Sequence, residues 1–245
     1  MKKLWIIIAA CLFLTSYTFS QTIQLNYKAT FGIFGTVGSI HNTLSKNEKS
    51  YQIKTVVKLA GLAKMMLANQ KETYISKGHM EKGLMVSDFY EMTSEKKNKK
   101  KVKTYLFDHE KHKTTKNEKV WREGILTENK TQALDFYAKD DLLTLYFNLG
   151  MTLKEKGKTY QFKAVGLEKQ NGKVYISVPK NSQLKAYQKD LGNSAHLYAK
   201  ALIHQKNFKK NKGDILLAIG KDGFIQKSVI KDVLLYGDAK LVRIK

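Results

Sequence analysis

Residues 31–40 read FGIFGTVGSI, with glycines at 32, 35 and 38. On the N-terminal side of this stretch Ile23, Leu25, Tyr27, Ala29, Phe31 and Ile33 hold the odd positions. Polar residues, from Thr22 to Thr30, hold the even ones. That alternation is a half-buried strand. Beyond the glycines the phase inverts, because Ile40 and Leu44 are even. A period of two cannot change phase without a turn or a bulge. The glycines are therefore read as the hinge of a β-hairpin. A phosphate cradle would need Gly-Lys-Ser/Thr opening a helix, or G-x-G-x-x-G between a strand and a helix. Here Gly38 runs into Ser39-Ile40.

The strand pattern continues outward. After a polar turn at 45–50, Tyr51, Ile53, Thr55 and Val57 share a face. ETYISKG, LMVSDFYEMTSEK and KVKTYLFDHE follow as strands, and EKKNKKKVK (95–103) is read as a hairpin tip. That tip is either simply solvated or in contact with anionic lipid. TYQFKAVGLEK turns at Gln170-Asn171-Gly172 into KVYISV, and HLYAKALIHQKNF is a further strand. The end is a meander, DILLAIG, FIQKSVIKDVLLY and KLVRIK, with turns at KDG and GDA.

Three short helices interrupt the strands. LAGLAKMMLA (59–68) collects helix formers despite Gly61, and is either a core plug or a lid over an apolar cavity. DDLLTLYFNLG (140–150) places Asp140 or Asp141 as a cap. Leu142, Leu145, Tyr146 and Leu149 follow at i, i+3, i+4 and i+7, and Gly150 is read as the stop. NSQLKAYQKDLG (181–192) puts Leu184, Tyr187, Gln188 and Leu191 on one side. With no repeat or linker to divide it, 21–245 is expected to be one mainly β domain.

Lys2 and Lys3 followed by LWIIIAACLFLTSY and the small residues Thr18 and Ser20 read as a cleaved signal peptide, with Gln21 as the mature start. The apolar run is too short to span a bilayer comfortably. The expected location is the periplasm. IAAC (8–11) also fits a lipoprotein box, but apolar LFL continues past Cys11, so lipidation there is the lesser reading. Loss of Cys11 with the leader leaves no cysteine for disulfides or thiol chemistry. About 225 residues can bury a core without such staples.

The chain carries a formal charge of +23. Such a balance suits polyanions. Export disfavours nucleic acid, so anionic lipid or an envelope protein is the expected partner, with peripheral membrane contact. Solubility alone also accounts for abundant lysine. No catalytic residue, cofactor or metal is expected. DHEKH (108–112) spaces His109 and His112 at i, i+3 in a strand-to-turn segment, unlike the helical H-E-x-x-H of zinc proteases. His41, His79, His196 and His204 form no spacing pattern, and no G-x-S-x-G elbow occurs.

LNYKATFGIFGTVGSI, ISKGHMEKGLMVSDFY, YAKDDLLTLYFNLG and KDGFIQKSVI together resemble the exported bacterial proteins of the family DUF3108. The resemblance implies a fold similar to the LolA/LolB lipoprotein carriers: a curved antiparallel half-barrel whose concave face is closed by helices and holds acyl chains. It brings no catalytic residues. An apolar pocket between sheet and helices is the physical counterpart. The residues expected to line or gate it are Leu62, Met65, Met66, Leu142, Leu145, Tyr146 and Leu149. The other expectation is an envelope interaction module with a solid core, binding through its sheet edge or lysine face.

Overall fold

The computed structural model describes residues 20–66, 69–167, 171–203, 213–233 and 237–244. Residues 1–19, on which the expected signal peptide and Cys11 fall, lie outside the described residues. Among the described residues fifteen strands form one sheet, ordered β8-β7-β6-β5-β4-β3-β2-β1-β15-β14-β13-β12-β11-β10-β9. The expected curved, mainly β architecture with a few short helices is what the chain forms. All pairings are antiparallel except β9–β10, where Asp140 and Asp141 lie parallel to Ala164 and Val165.

β1 (Gln21–Phe31) and β2 (Thr36–Lys46) flank the glycine stretch. Gly32 to Phe34 form a single 3-10 turn, and Gly35 at φ +64° lets Phe31 N–H donate to its carbonyl at 2.9 Å. The pairing slips at Ala29/Thr30, which accounts for the inverted phase. β3 (Ser50–Leu59) turns inward Tyr51, Ile53 and Thr55.

β4 (Lys71–Glu81), β5 (Leu84–Lys96), β6 (Lys99–Asp108), β7 (Lys113–Arg122) and β8 (Ile125–Ala133) extend the meander. The turns Lys82-Gly83 and Glu123-Gly124 have positive φ at both residues. Such turns match the right-handed twist of the strands they join. The lysine-rich tip reduces to Lys97-Asn98, and Lys99 to Lys103 belong to β6 itself. The other half comprises β9 (Asp140–Asp141), β10 (Thr159–Val165), β11 (Lys173–Ser177), β12 (Leu197–Ile203), β13 (Gly213–Ile219), β14 (Ile225–Val233) and β15 (Gly237–Ile244). The expected GDA turn is instead the start of β15. Residues 168–170, 204–212 and 234–236, on which parts of the expected loops fall, lie outside the described residues.

The helices take three different places. α2 (Leu142–Thr152) lies inside the concave face, directly after the edge strand β9 and before β10. It is buried on two sides. Leu145 and Leu149 join the core cluster of β10–β14, while Phe147 joins that of Tyr27, Leu44 and Ile53. A helix that is apolar all round belongs in an interior. It also runs two residues past the expected stop. Gly150 is there for packing: a Cβ would come within 2.3 Å of the Gly223 carbonyl. α3 (Leu184–Leu191) packs with Tyr198, Leu216 and Val229, which point away from the α2 side of their strands. It therefore covers the outer face. α1 (Gly61–Met66) sits at the end of the sheet against β2. Of the short helices expected to close the concave face, α2 is the one among the described residues that fills it. No helix among the described residues is long and apolar enough to cross a membrane.

Candidate functional site

α2 is held to the sheet by a buried carboxylate. Asp141 is the N-cap, fully enclosed, and its Oδ1 accepts from Leu143 N–H at 2.7 Å and Thr144 N–H at 3.0 Å. Capping side chains satisfy donors that the first helical turn leaves free. Its Oδ2 accepts from Ser76 Oγ at 2.6 Å, Ser87 Oγ at 2.7 Å and Thr144 Oγ1 at 2.9 Å. The Tyr51 hydroxyl adjoins Thr144 Oγ1 at 2.7 Å and Ser76 Oγ at 3.1 Å. Burial pushes the Asp141 carboxyl up from the usual carboxylate range, against the pull of these five donors.

The neighbouring Asp140 is less well provided. Its Oδ1 is buried and has no hydrogen-bond partner. Burial first, and the charge of Asp141 second, raise it to about 7. A carboxyl raised in the folded state contributes stability that is complete below the unfolded value of 3.8 and is lost as pH rises through about 7. Asp140→Asn is expected to flatten this decline. At pH values above 7 the variant should be more stable than the parent by on the order of 2 kcal/mol, and at acid pH the two should converge. Urea unfolding across the pH range measures this. Equal pH slopes in the two proteins would refute it.

Beside α2 the concave face is not filled. An open pocket of about 320 Å³ lies between the helix and strands β1 to β5 and β15. Tyr27, Ile40, Val57 and Tyr74 line the sheet side, and Leu142 and Tyr146 the helix side. Four of its polar side chains are already engaged. Asn42 Nδ2 donates to Leu25 O at 3.1 Å and Thr55 Oγ1 to Asn42 Oδ1 at 2.6 Å. The Tyr74 hydroxyl donates to Glu72, and the Tyr27 hydroxyl to Ile225 O at 2.7 Å. Burial raises the Tyr27 and Tyr74 phenols above their ordinary value, so both remain neutral donors. The cavity thus presents chiefly carbon and spent hydrogen bonds.

Of the residues expected to line it, Leu142 and Tyr146 do. Leu145 and Leu149 do not: although they share the stripe with Leu142 and Tyr146, their side chains are buried in the packed core of β10–β14 rather than at the trough. Met65 is 76 % exposed at the end of the sheet and is no part of the lining. The side chains of Leu62 and Met66 lie outside the described residues. The sheet-side residues went unassigned. Their inward parity was visible in Tyr27 and Val57, but their convergence depends on register: Tyr27 pairs with Ile40, and Ile40 with Val57.

No family model matches the chain, and no curated protein does. The resemblance to DUF3108 therefore rests on element order and short motifs alone. Among solved structures, the crystal structure of a beta-barrel-like protein of domain of unknown function DUF1849 from Brucella abortus superposes with a TM-score of 0.49. It is 10% identical, and the match covers 93% of this chain and 97% of that one.

Proposed function

We propose that this protein is a non-enzymatic binding protein of the cell envelope, which holds an acyl chain or a similar amphipathic ligand in the trough beside α2. The observation that carries the reading is the apolar pocket left open in an otherwise packed concave face. At about 320 Å³ it stands at the small end of ligand sites. With most of its polar groups already bonded, it suits a hydrocarbon chain, and a polar head would stay at the mouth.

Two features give the trough a direction. The next inward row toward the α1 end is Ala29, Gly38 and Leu59, so two of its three positions have little or no side chain. At that end Ile33 is 92 % exposed and Met65 76 %. Lys58, Lys64 and Lys71, all exposed, surround α1. Exposed apolar side chains within a basic collar suit an anionic bilayer surface. This arrangement is akin to the acyl-chain carriage implied by the LolA-like resemblance.

The test is mass spectrometry of the protein purified without detergent from its own host, beside a Val57→Trp variant. A stoichiometric lipid is expected in the parent. In the variant the introduced indole should fill the trough and lower lipid-probe affinity about tenfold or more, a loss of at least about 1.4 kcal/mol. A clean apo mass and unchanged probe uptake would discard the reading.

A second reading draws on β8. This edge strand is exposed along almost its whole length, with Ile125 and Leu126 uncovered. Open edges accept added strands. A partner protein captured through β8 by an apo protein would favour an envelope interaction module.

A further inference from the structure

The sheet register brings together three residues that their positions in the sequence do not connect. Asp88 is the extra residue of a β-bulge: Lys77 pairs with Phe89 and Gly78 with Ser87, so Asp88 has no partner on β4. Bulges re-aim side chains. This one is made possible by Gly78, where a Cβ would lie 1.9 Å from the Val86 carbonyl oxygen. The re-aimed carboxylate meets two imidazoles. His79 Nδ1 lies 2.9 Å from Asp88 Oδ1 and 3.1 Å from Oδ2, and His109 Nε2 lies 3.2 Å from Oδ1. The three ligand atoms all fall within 4.8 Å of one another.

We infer that His79, Asp88 and His109 form a binding site for a divalent transition metal of the zinc class. Two imidazoles and one carboxylate are the ligand set of open zinc and related centres, whereas magnesium and calcium prefer oxygen alone. The spacing agrees. Ligands about 2.0–2.1 Å from a tetrahedral ion are about 3.4 Å apart, and the nitrogen–oxygen separations already approach this. Only the two rings need to draw closer. Their side chains are 45% and 26% exposed, which leaves both the freedom and an open coordination position toward solvent.

The outer partner is present as well. His109 Nδ1 is 2.6 Å from the Tyr137 hydroxyl. A ligating histidine is oriented by a hydrogen bond at its other nitrogen. On binding, Nε2 would release its 2.8 Å contact with Ser87 O and turn its lone pair to the ion, while Nδ1–H donates to Tyr137. The metal would clip β4, β5 and the β6–β7 turn together at the rim where α2 enters. Ser87, whose carbonyl faces His109, also bonds Asp141 through its hydroxyl.

Untagged protein, stripped with chelator, is titrated with Co²⁺ near neutral pH and then with competing Zn²⁺. One equivalent should give visible ligand-field bands that Zn²⁺ abolishes. His79→Gln, Asp88→Asn and His109→Gln should each weaken binding about 100-fold, and Tyr137→Phe about 10–100-fold. His112→Gln, whose ring packs on Tyr137 from the same turn, should retain the bands. Thermal melts in metal-free buffer establish that each variant folds, and His79→Asn replaces any that does not. Absence of the bands, or their survival in Asp88→Asn, would overturn the site. Loss in His112→Gln with retention in His79→Gln would overturn it too, by assigning the metal to the sequence-adjacent histidine pair.

Discussion

Asp141→Ala is expected to lower stability by about 4 kcal/mol, enough to threaten folding in a protein whose whole margin is on the order of 5–15 kcal/mol. Loss of the N-cap accounts for about 1 kcal/mol. The rest comes from the hydroxyls of Ser76, Ser87 and Thr144, which all donate to Asp141 Oδ2. Leaving buried donors without an acceptor costs about 1–3 kcal/mol each. The sum is moderated because Ser76 Oγ and Thr144 Oγ1 are 2.7 Å apart and can bond each other. Asp141→Asn keeps an oxygen for the helix N–H groups and should cost about half as much. Urea midpoints at neutral pH would measure both. A loss below about 1 kcal/mol for alanine would mean that water or a shifted helix replaces the carboxylate.

Gly78→Ala carries the second large effect. The added methyl would meet Val86 O at 1.9 Å and Tyr51 Cε1 at 2.9 Å. The first contact is with backbone, which cannot swing aside as a flexible side chain would. β4 must therefore separate from β5, or the bulge must be lost. Overpacking of this kind costs about 3 kcal/mol or more. Tyr51 belongs to the hydroxyl network around Asp141, so the strain reaches the anchor of α2. His79 follows Gly78 and Asp88 is the bulged residue, so metal affinity should fall with stability. A variant with the parent's melting temperature and Co²⁺ spectrum would contradict this account.

The inward residues of β1 and β3 were legible because one face of each strand is buried and the other wet. β7 and β8 were not legible. KTTKNEKVWR and ILTENKTQA lie in the part of the sheet that reaches past the core, where β8 is exposed almost throughout, so no apolar alternation marks them. The cap at Asp141 was readable from its place before a leucine-rich helix. The hydroxyls that surround it were not, because Ser76 and Ser87 arrive from strands more than fifty residues earlier. Gly150 misled for a related reason: its cause is Gly223, on a distant turn. The pocket was half legible. Leu142 and Tyr146 belong to a helical stripe, whereas its sheet wall is a product of register. The meeting of His79, Asp88 and His109 needs both the β4–β5 register and its one-residue slip.

The seam between β1 and β15 bears on how the molecule forms. Asn26 pairs with Ile244 and Phe31 with Ala239, so the two halves of the sheet are joined by segments from opposite ends of the described chain. Hairpins such as β4–β5 can close locally, but this seam must draw together residues separated by nearly the whole sequence. Non-local pairing of that kind slows folding, because chain entropy is lost before the contacts compensate for it. Until the seam closes, β1 and β15 are unpaired edges that another copy could occupy. The interval before closure is thus when the protein is most exposed to aggregation, and a factor that shields either strand would govern its yield more than its final stability.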